Sequence, residues 1–194
     1  MGTTLLIGSC EPFSGKSAVV LGIARHLMAL KHVVHFGKPL ATSIEFDHKA
    51  VSLQPSLIDD DVRFVGETLG LKENQLIPSL QLTSKSNALD RLLGAELQSG
   101  LAFEALKANI GSGNDDVTIL EAAGSLCEGR LFGLGLNQLA SGLDAHVLLV
   151  HLWQDSRSVD ALLMAKDELG DRLVGVILNS VDPDEISSLE ETIA

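Results

Sequence analysis

The sequence predicts a three-layer α/β domain, with a mostly parallel sheet between two layers of helices. Three observations carry this expectation. Short β-rich apolar runs alternate with stretches of helical periodicity along the whole chain. The runs are continuously apolar instead of alternating, as in strands buried on both faces. Finally, Lys16, Lys38, Glu121 and Asn179 each fall just after such a run. They therefore sit at the carboxyl ends of the expected strands, where sheets of this kind bind ligands.

Taken in order, Thr3–Ile7 reads as the first strand and Gly15–Leu30 as a helix. In that helix Val19, Val20, Ile23, Leu27 and Leu30 recur at three- and four-residue spacing. Val33–Phe36 is a second strand, and residues 37–58, with Pro39 and Pro55, read as mixed loop. A helix is expected over Asp59–Leu71, opened by three aspartates that suit a helix start. Asn87–Ile110 reads as a long helix and Gly111–Asp116 as a turn. Val117–Leu120 is a buried strand ending in Glu121. Ala145–Leu152 and Leu173–Leu178 are further strands, with a helix near Ser158–Leu169 between them. The last stretch, from Asp184 to Ala194, is an amphipathic helix without a capping glycine. Such an end suits a cut from a longer protein as well as a natural terminus. The whole chain, 1–194, is expected to form one domain.

Composition bounds the function. At 45% hydrophobic and 21% charged residues the chain is an ordinary globular one. It carries 14 basic against 26 acidic residues, a net charge of −12. Such a surface repels nucleic acid and anionic membrane, so a polyanionic ligand must be small and held locally. No apolar run reaches the roughly 18 residues of a membrane span, and no signal-peptide pattern opens the chain. With only Cys10 and Cys127, a disulfide framework is not expected, and the compartment reads as cytoplasm.

The most informative stretch is residues 8–17, GSCEPFSGKS, directly after the apolar TTLLI. Gly15-Lys16-Ser17 ends as a phosphate-binding loop ends, at the head of a helix. Such a loop curls so that successive backbone N–H groups face an anion. The helix adds its positive end, and the lysine a point charge. Ser17 supplies a hydroxyl for Mg²⁺. Cys10 occupies the place of the usual first glycine, so the loop is expected to begin differently, with Gly8 taking part. The bland alternative is a chance GKS at a helix start; the order strand, loop, GKS, helix favours the site. The expected phosphate-binding segment is then Glu11, Pro12, Phe13, Ser14, Gly15, Lys16, Ser17 and Ala18.

Other residues are weighed against that loop. Glu121 closes a strand where Mg²⁺ is usually held, the alternative being a solvated strand end. One of Asp59, Asp60 and Asp61 could add a second carboxylate, or all three could simply favour the helix start. Lys38, in Gly37-Lys38-Pro39, could meet a substrate carboxylate or a transferring phosphate; exposed lysines are common. Asn179 could read a base edge or be a turn residue. His32, His35, His146 and His151 form no metal spacing, and packing or surface placement is expected for them. Cys127 reads as a loop residue, and Arg130 and Arg157 as surface residues.

In order along the chain, GKS, GKPLATS, DDDVRFVGETLGL, LEAAGS and VILNSV make this sequence resemble the dethiobiotin synthetase family over nearly its whole length. It is still more similar to the dethiobiotin-synthetase-like N-terminal domain carried by some phosphotransacetylases. The resemblance implies a P-loop NTPase fold, ATP and Mg²⁺ as cofactors, and a homodimer with substrate near the subunit interface. In dethiobiotin synthetases an ATP-dependent step closes the ureido ring of diaminononanoate through a phosphorylated carbamate. Carried over by position, Lys16 binds phosphate, and Lys38 and Thr42 face the carbamate. Ser17, Glu121 and one aspartate, with Asp60 taken for the run, hold Mg²⁺, and Asn179 reads adenine. The implied second ligand is a small carboxylate. The sequence departs from the synthetases at Pro12 and Phe13, where they carry a threonine and an acidic residue. It departs again at Ala122-Ala123-Gly124-Ser125, where they have a glycine-rich turn. These departures leave the nucleotide half intact and fit the accessory domain better. The leading expectation is an Mg-ATP-binding, nucleotide-responsive regulatory module. The alternatives are a ligase or cyclase acting on a carbamate, and a non-catalytic dimerisation scaffold.

Overall fold

The computed structural model describes residues 2–43, 58–83, 99–111 and 113–193. Its main sheet contains β1 (Thr3–Gly8), β2 (Val33–Gly37), β4 (Leu76–Ile77), β6 (Asp116–Glu121), β7 (His146–Leu152) and β8 (Leu173–Asn179), in the order β4-β2-β6-β1-β7-β8. Every pairing in it is parallel. A separate parallel pair joins β3 (Leu40–Ser43) to β5 (Leu80–Thr83). The helices are α1 (Lys16–Ala29), α2 (Asp60–Leu69), α3 (Ser99–Ala108), α4 (Leu136–Gly142), α5 (Ser156–Leu169) and α6 (Ile186–Ile193). Among the described residues no helix is long and apolar enough to cross a membrane.

The continuous apolar runs behave as their composition requires. Successive residues of a strand face opposite sides of the sheet, and here both sides are covered. Leu6, Leu120 and Leu149 join α4 and α5 residues Leu136, Leu139, Ala165 and Leu169 in one core. Their neighbours Ile7, Ile119 and Val150 join Val20 and Ala24 of α1 and Val62, Val65 and Leu69 of α2 in the other. Each valine, leucine or isoleucine among them, withdrawn from water, contributes about 1.5–3 kcal/mol. Truncating one to alanine costs roughly 2–5 kcal/mol, because the cavity only partly collapses.

Local chemistry sets the element ends. Helix α1 closes where Lys31 turns left-handed (φ 73) and His32 N–H reaches back to Leu27 O at 3.1 Å. Helix α2 opens on Asp59, whose carboxylate accepts Asp61 N–H at 3.0 Å, and ends on left-handed Gly70. The chain from β1 leads into the loop before α1. β1 lies between β6 and β7, so the order runs outward from it in both directions. Strand ends diverge at such a point and leave a crevice.

The structure differs from the sequence expectation in several places. Residues 40–43 are strand, not loop, and pair with a second short strand at 80–83 that periodicity did not reveal. The short helix Leu136–Gly142 was also not anticipated. It is only two turns long, and its first residue packs Leu136 against Gly8, where a Cβ would lie 2.5 Å from the leucine. Of the long helix expected over 87–110, Ser99–Ala108 is helical and residues 87–98 lie outside the described ones.

Candidate nucleotide site

The loop between β1 and α1 is bent into shape by two left-handed residues, Phe13 (φ 59) and Gly15 (φ 96). At Gly15 the conformation and the space both demand glycine. A Cβ there would lie 2.4 Å from Asn179 Nδ2. Gly15 is the N-cap of α1 and places no side-chain cap on the helix. Ala18 N–H turns back onto Gly15 O at 3.1 Å, while the N–H groups ahead of it have no partner to reach within the helix and are available to an anion, with the helix dipole behind them. Ser14 is fully buried, and its hydroxyl has no hydrogen-bond partner among the described residues.

Contacts through Asn179, Glu11 and Cys10 hold the loop. Asn179, at the end of β8, donates its amide to Ser14 O at 2.9 Å and accepts Ser180 N–H at 2.9 Å. Glu11 faces the end of β7: one carboxylate oxygen accepts Leu152 N–H at 2.8 Å, and the other lies 2.7 Å from His151 Nδ1. His151 is buried, and its two ring nitrogens make no well-aligned hydrogen bond among the described residues. Cys10, in the usual glycine's place, is half-buried with its Sγ 3.7 Å from Ala161 O in α5. Burial, and then the Glu11 charge, push its thiol up to about 11. A thiol so held is a packing group and not a nucleophile.

Beside the loop lies a cleft of about 490 Å³, lined by Pro12–Ala18, Lys38, Leu40, Asp59, Asp61, Glu121–Gly124 and Glu128. Lys16 is buried there, and its ammonium donates to Ser9 Oγ at 2.8 Å. Ser9 in turn contacts Glu11 O (2.7 Å) and Gly124 O (3.1 Å), joining the loop to the segment after β6. Desolvation pulls the Lys16 ammonium below its ordinary value, opposed by the charge of Glu121. Ser17 donates to Glu121 Oε1 at 3.1 Å. Glu121 is almost wholly buried. That burial raises its carboxyl above the usual range, although Lys38, Ser17 and Lys16 oppose the shift. Lys38 is in direct contact with Asp61. Burial works to lower the Lys38 ammonium, but the bond to Asp61 and the charge of Glu121 prevail and raise it.

The aspartate run resolves into three roles. Asp59 caps α2, and Asp61 faces the cleft on Lys38, whereas Asp60 is exposed and outside the lining. A helix start turns consecutive residues by about 100° each, so a run of three cannot all face one cleft. Placing Asp60 on the metal is therefore corrected: the carboxylates in the cleft are Asp59, Asp61, Glu121 and Glu128. Asn179 has its carbonyl on Ser180 N–H and one amide hydrogen on Ser14 O, which leaves one amide hydrogen and one lone pair for a base edge. Glu11 turns away from the cleft toward His151, and Phe13 is 95% exposed at the loop tip. Thr42 lies in β3, beyond Leu40 of the lining. Arg130 pairs with Glu168 at 3.4 Å and Arg157 with Asp155 at 2.7 Å, as surface residues.

Sequence reasoning missed Ser9 and Glu128. Ser9 could have been suspected from its place within the loop. Glu128 accepts Gly124 N–H at 2.8 Å across a turn that no spacing announces. That turn also shows why the departures from the synthetase pattern come together. A Cβ on Gly124 would be 2.8 Å from Glu128 Oε2 and 3.3 Å from the Pro12 ring, so Pro12 lies beside the Ala122-Ala123-Gly124-Ser125 segment.

Among the described residues no three His, Cys, Asp or Glu side chains cluster closely enough to hold a metal alone. What the cleft does offer is a hydroxyl, Ser17, on a carboxylate, Glu121. These are hard oxygen donors of the kind Mg²⁺ takes when phosphate and water complete its shell.

A parallel sheet, a left-handed turn into a helix, a buried lysine over that turn and a Ser–Glu oxygen pair define a P-loop nucleotide-binding domain. A family model described as an AAA domain (AAA_26) matches residues 3–194, and the chain belongs to that dethiobiotin-synthetase-like P-loop family. Among solved structures it is similar to the signal recognition particle receptor FtsY from Elizabethkingia anophelis, with a TM-score of 0.51 and 14% identity. That match covers 87% of this chain and 47% of the other, so the chain spans about half the receptor's length. The kinase domain of Escherichia coli tyrosine kinase ETK matches with a TM-score of 0.47 and 13% identity, over 93% of this chain and 68% of that one. At 14% identity the likeness to the receptor is one of fold.

Proposed function

We propose that the chain binds Mg-ATP as a dethiobiotin-synthetase-like domain and serves as a nucleotide-responsive regulatory module, of the kind carried by phosphotransacetylase-family proteins. The observation that carries the nucleotide reading is the combination at the head of α1: an uncapped first turn, buried Lys16 above it, and Ser17 on Glu121 at 3.1 Å. In this reading the loop N–H groups and Lys16 hold the β- and γ-phosphates. Ser17 and Glu121 hold Mg²⁺, which would neutralise phosphate charge. Lys16 donates to Ser9, and Ser9 also touches Gly124 O, so phosphate arriving at the remaining Lys16 donors is linked to the segment after β6. That link gives the module a route for response.

The regulatory reading is favoured over a synthetase by Pro12, whose ring fills the space beside Gly124, and by Lys38, which is paired to Asp61 and not free. A ligase or cyclase remains a second reading, because Lys38 does line the cleft. A homodimer in the cytoplasm, with a further domain in a longer protein, completes the proposal. The test is phosphate and ADP release from Mg-ATP with and without diaminononanoate and bicarbonate, beside calorimetric binding. Binding without stimulated release supports the module. Stimulated release makes it a synthetase, and absence of binding leaves a scaffold. Sedimentation showing only monomer at micromolar concentration would reject the dimer.

A further inference from the structure

We propose that Trp153 is the platform on which the nucleotide's base stacks, and that the site therefore selects nucleotides weakly by base. The inference rests on the nucleotide reading above and deepens it. A nucleotide whose phosphates lie on Gly15–Ser17 can extend in two directions. Toward β2 and β6 it meets Lys38, Asp61, Glu121 and Glu128, a charged surface suited to metal and reacting groups. Toward β7 and β8 it meets Asn179, which touches the loop itself through Ser14 O, and then Trp153, whose backbone N–H donates to Asn179 O at 2.8 Å. One residue thus separates the phosphate loop from the backbone of Trp153, whose indole N–H reaches Glu185 in the segment after β8.

The groups on that side are already engaged. Asn179 spends its carbonyl on Ser180 N–H and one amide hydrogen on the loop, so little remains to distinguish an adenine edge from a guanine edge. Asp155 is paired with Arg157, and Glu185 accepts the indole N–H at 3.3 Å. What remains unassigned is the face of a half-buried indole whose orientation is fixed at both its backbone and its N–H. Ser180, next to Asn179, holds a left-handed backbone (φ 61), a conformation that costs energy and concentrates at ligand sites. Stacking on an aromatic face is tolerant of base identity, since every base presents a π-face.

The chain has one tryptophan and no tyrosine, so its tryptophan emission reports Trp153 alone. The experiment titrates Mg-ATP, Mg-GTP and magnesium tripolyphosphate into the intact protein, following emission and calorimetric heat together. Both nucleotides are expected to bind within about tenfold of each other and to change the emission. Tripolyphosphate should compete for the loop without doing so. Trp153→Ala should weaken both nucleotides by roughly 5- to 150-fold and leave tripolyphosphate unaffected, and Trp153→Phe should recover most of the loss. Nucleotide binding without an emission change overturns the inference while sparing the nucleotide reading. So does a preference of more than about a hundredfold for one base, or unaltered affinity in Trp153→Ala. Absence of heat with every ligand overturns both.

Discussion

Replacing Gly15 by alanine perturbs the phosphate loop at the point where its geometry is most tightly specified. At φ 96 an added Cβ costs about 1–2 kcal/mol. The same atom would lie 2.4 Å from Asn179 Nδ2, so the amide must swing aside. Asn179 is exposed, and the movement itself costs little, but it breaks the 2.9 Å bond to Ser14 O, worth about 1 kcal/mol. The expected destabilisation is about 2–3 kcal/mol, lowering Tm by roughly 4–12 °C for a chain of this length. Chemical denaturation of Gly15→Ala, Asn179→Ala and the double variant resolves the two contributions. Once Asn179 is alanine, only the backbone cost of Gly15→Ala should remain, so the variants should fall short of additivity by about 1 kcal/mol. Additivity within about 0.5 kcal/mol, or a Gly15→Ala protein as stable as the parent, would refute the reasoning.

Further expectations concern single residues. Phe13→Gly should stabilise the protein by about 1 kcal/mol, because a 95% exposed ring is exchanged for relief of a left-handed backbone; a lower denaturation midpoint would show that the ring packs after all. Cys127 should react with a thiol reagent near pH 8, and Cys10 only once the protein unfolds or the pH approaches 11. Since the Cys10 value is raised, its contribution to stability is full below the ordinary 9.0 and is lost as pH rises through about 11; two equally fast thiols would contradict this. Glu121 is also raised, so its contribution is present below the usual carboxylate range and lost as pH climbs through the raised value. Glu121→Gln should therefore be at least as stable near neutrality, with a flatter pH profile and a weaker Mg²⁺ dependence of nucleotide binding; an unchanged metal titration would count against its role.

The parts of the fold legible in the sequence are those where one chemical rule dominates. Leu6 and Ile7, or Leu149 and Val150, must both be buried because helices cover both faces, so β1 and β7 announce themselves as unbroken apolar runs. The loop was legible because GKS, a preceding strand and a following helix coincide. Strands β3 and β5 were hidden because LATS and LQLT are short and stabilise one another only across a long sequence separation. Within the site, sequence order could not say which of Asp59, Asp60 and Asp61 meets the cleft, since that depends on where α2 begins. Nor could it show that Asn179 braces Ser14, because the two are brought together by the β1-β7-β8 order and not by spacing.

The central claim is that Lys16 and the first turn of α1 hold nucleotide phosphates, and calorimetric titration of Mg-ATP into the parent and Lys16→Ala proteins tests it most directly. Saturable binding that weakens at least tenfold in the variant, about 1.4 kcal/mol, with an unchanged far-ultraviolet spectrum, is the predicted result. Equal affinity in the two proteins, or no binding to the parent, would contradict it.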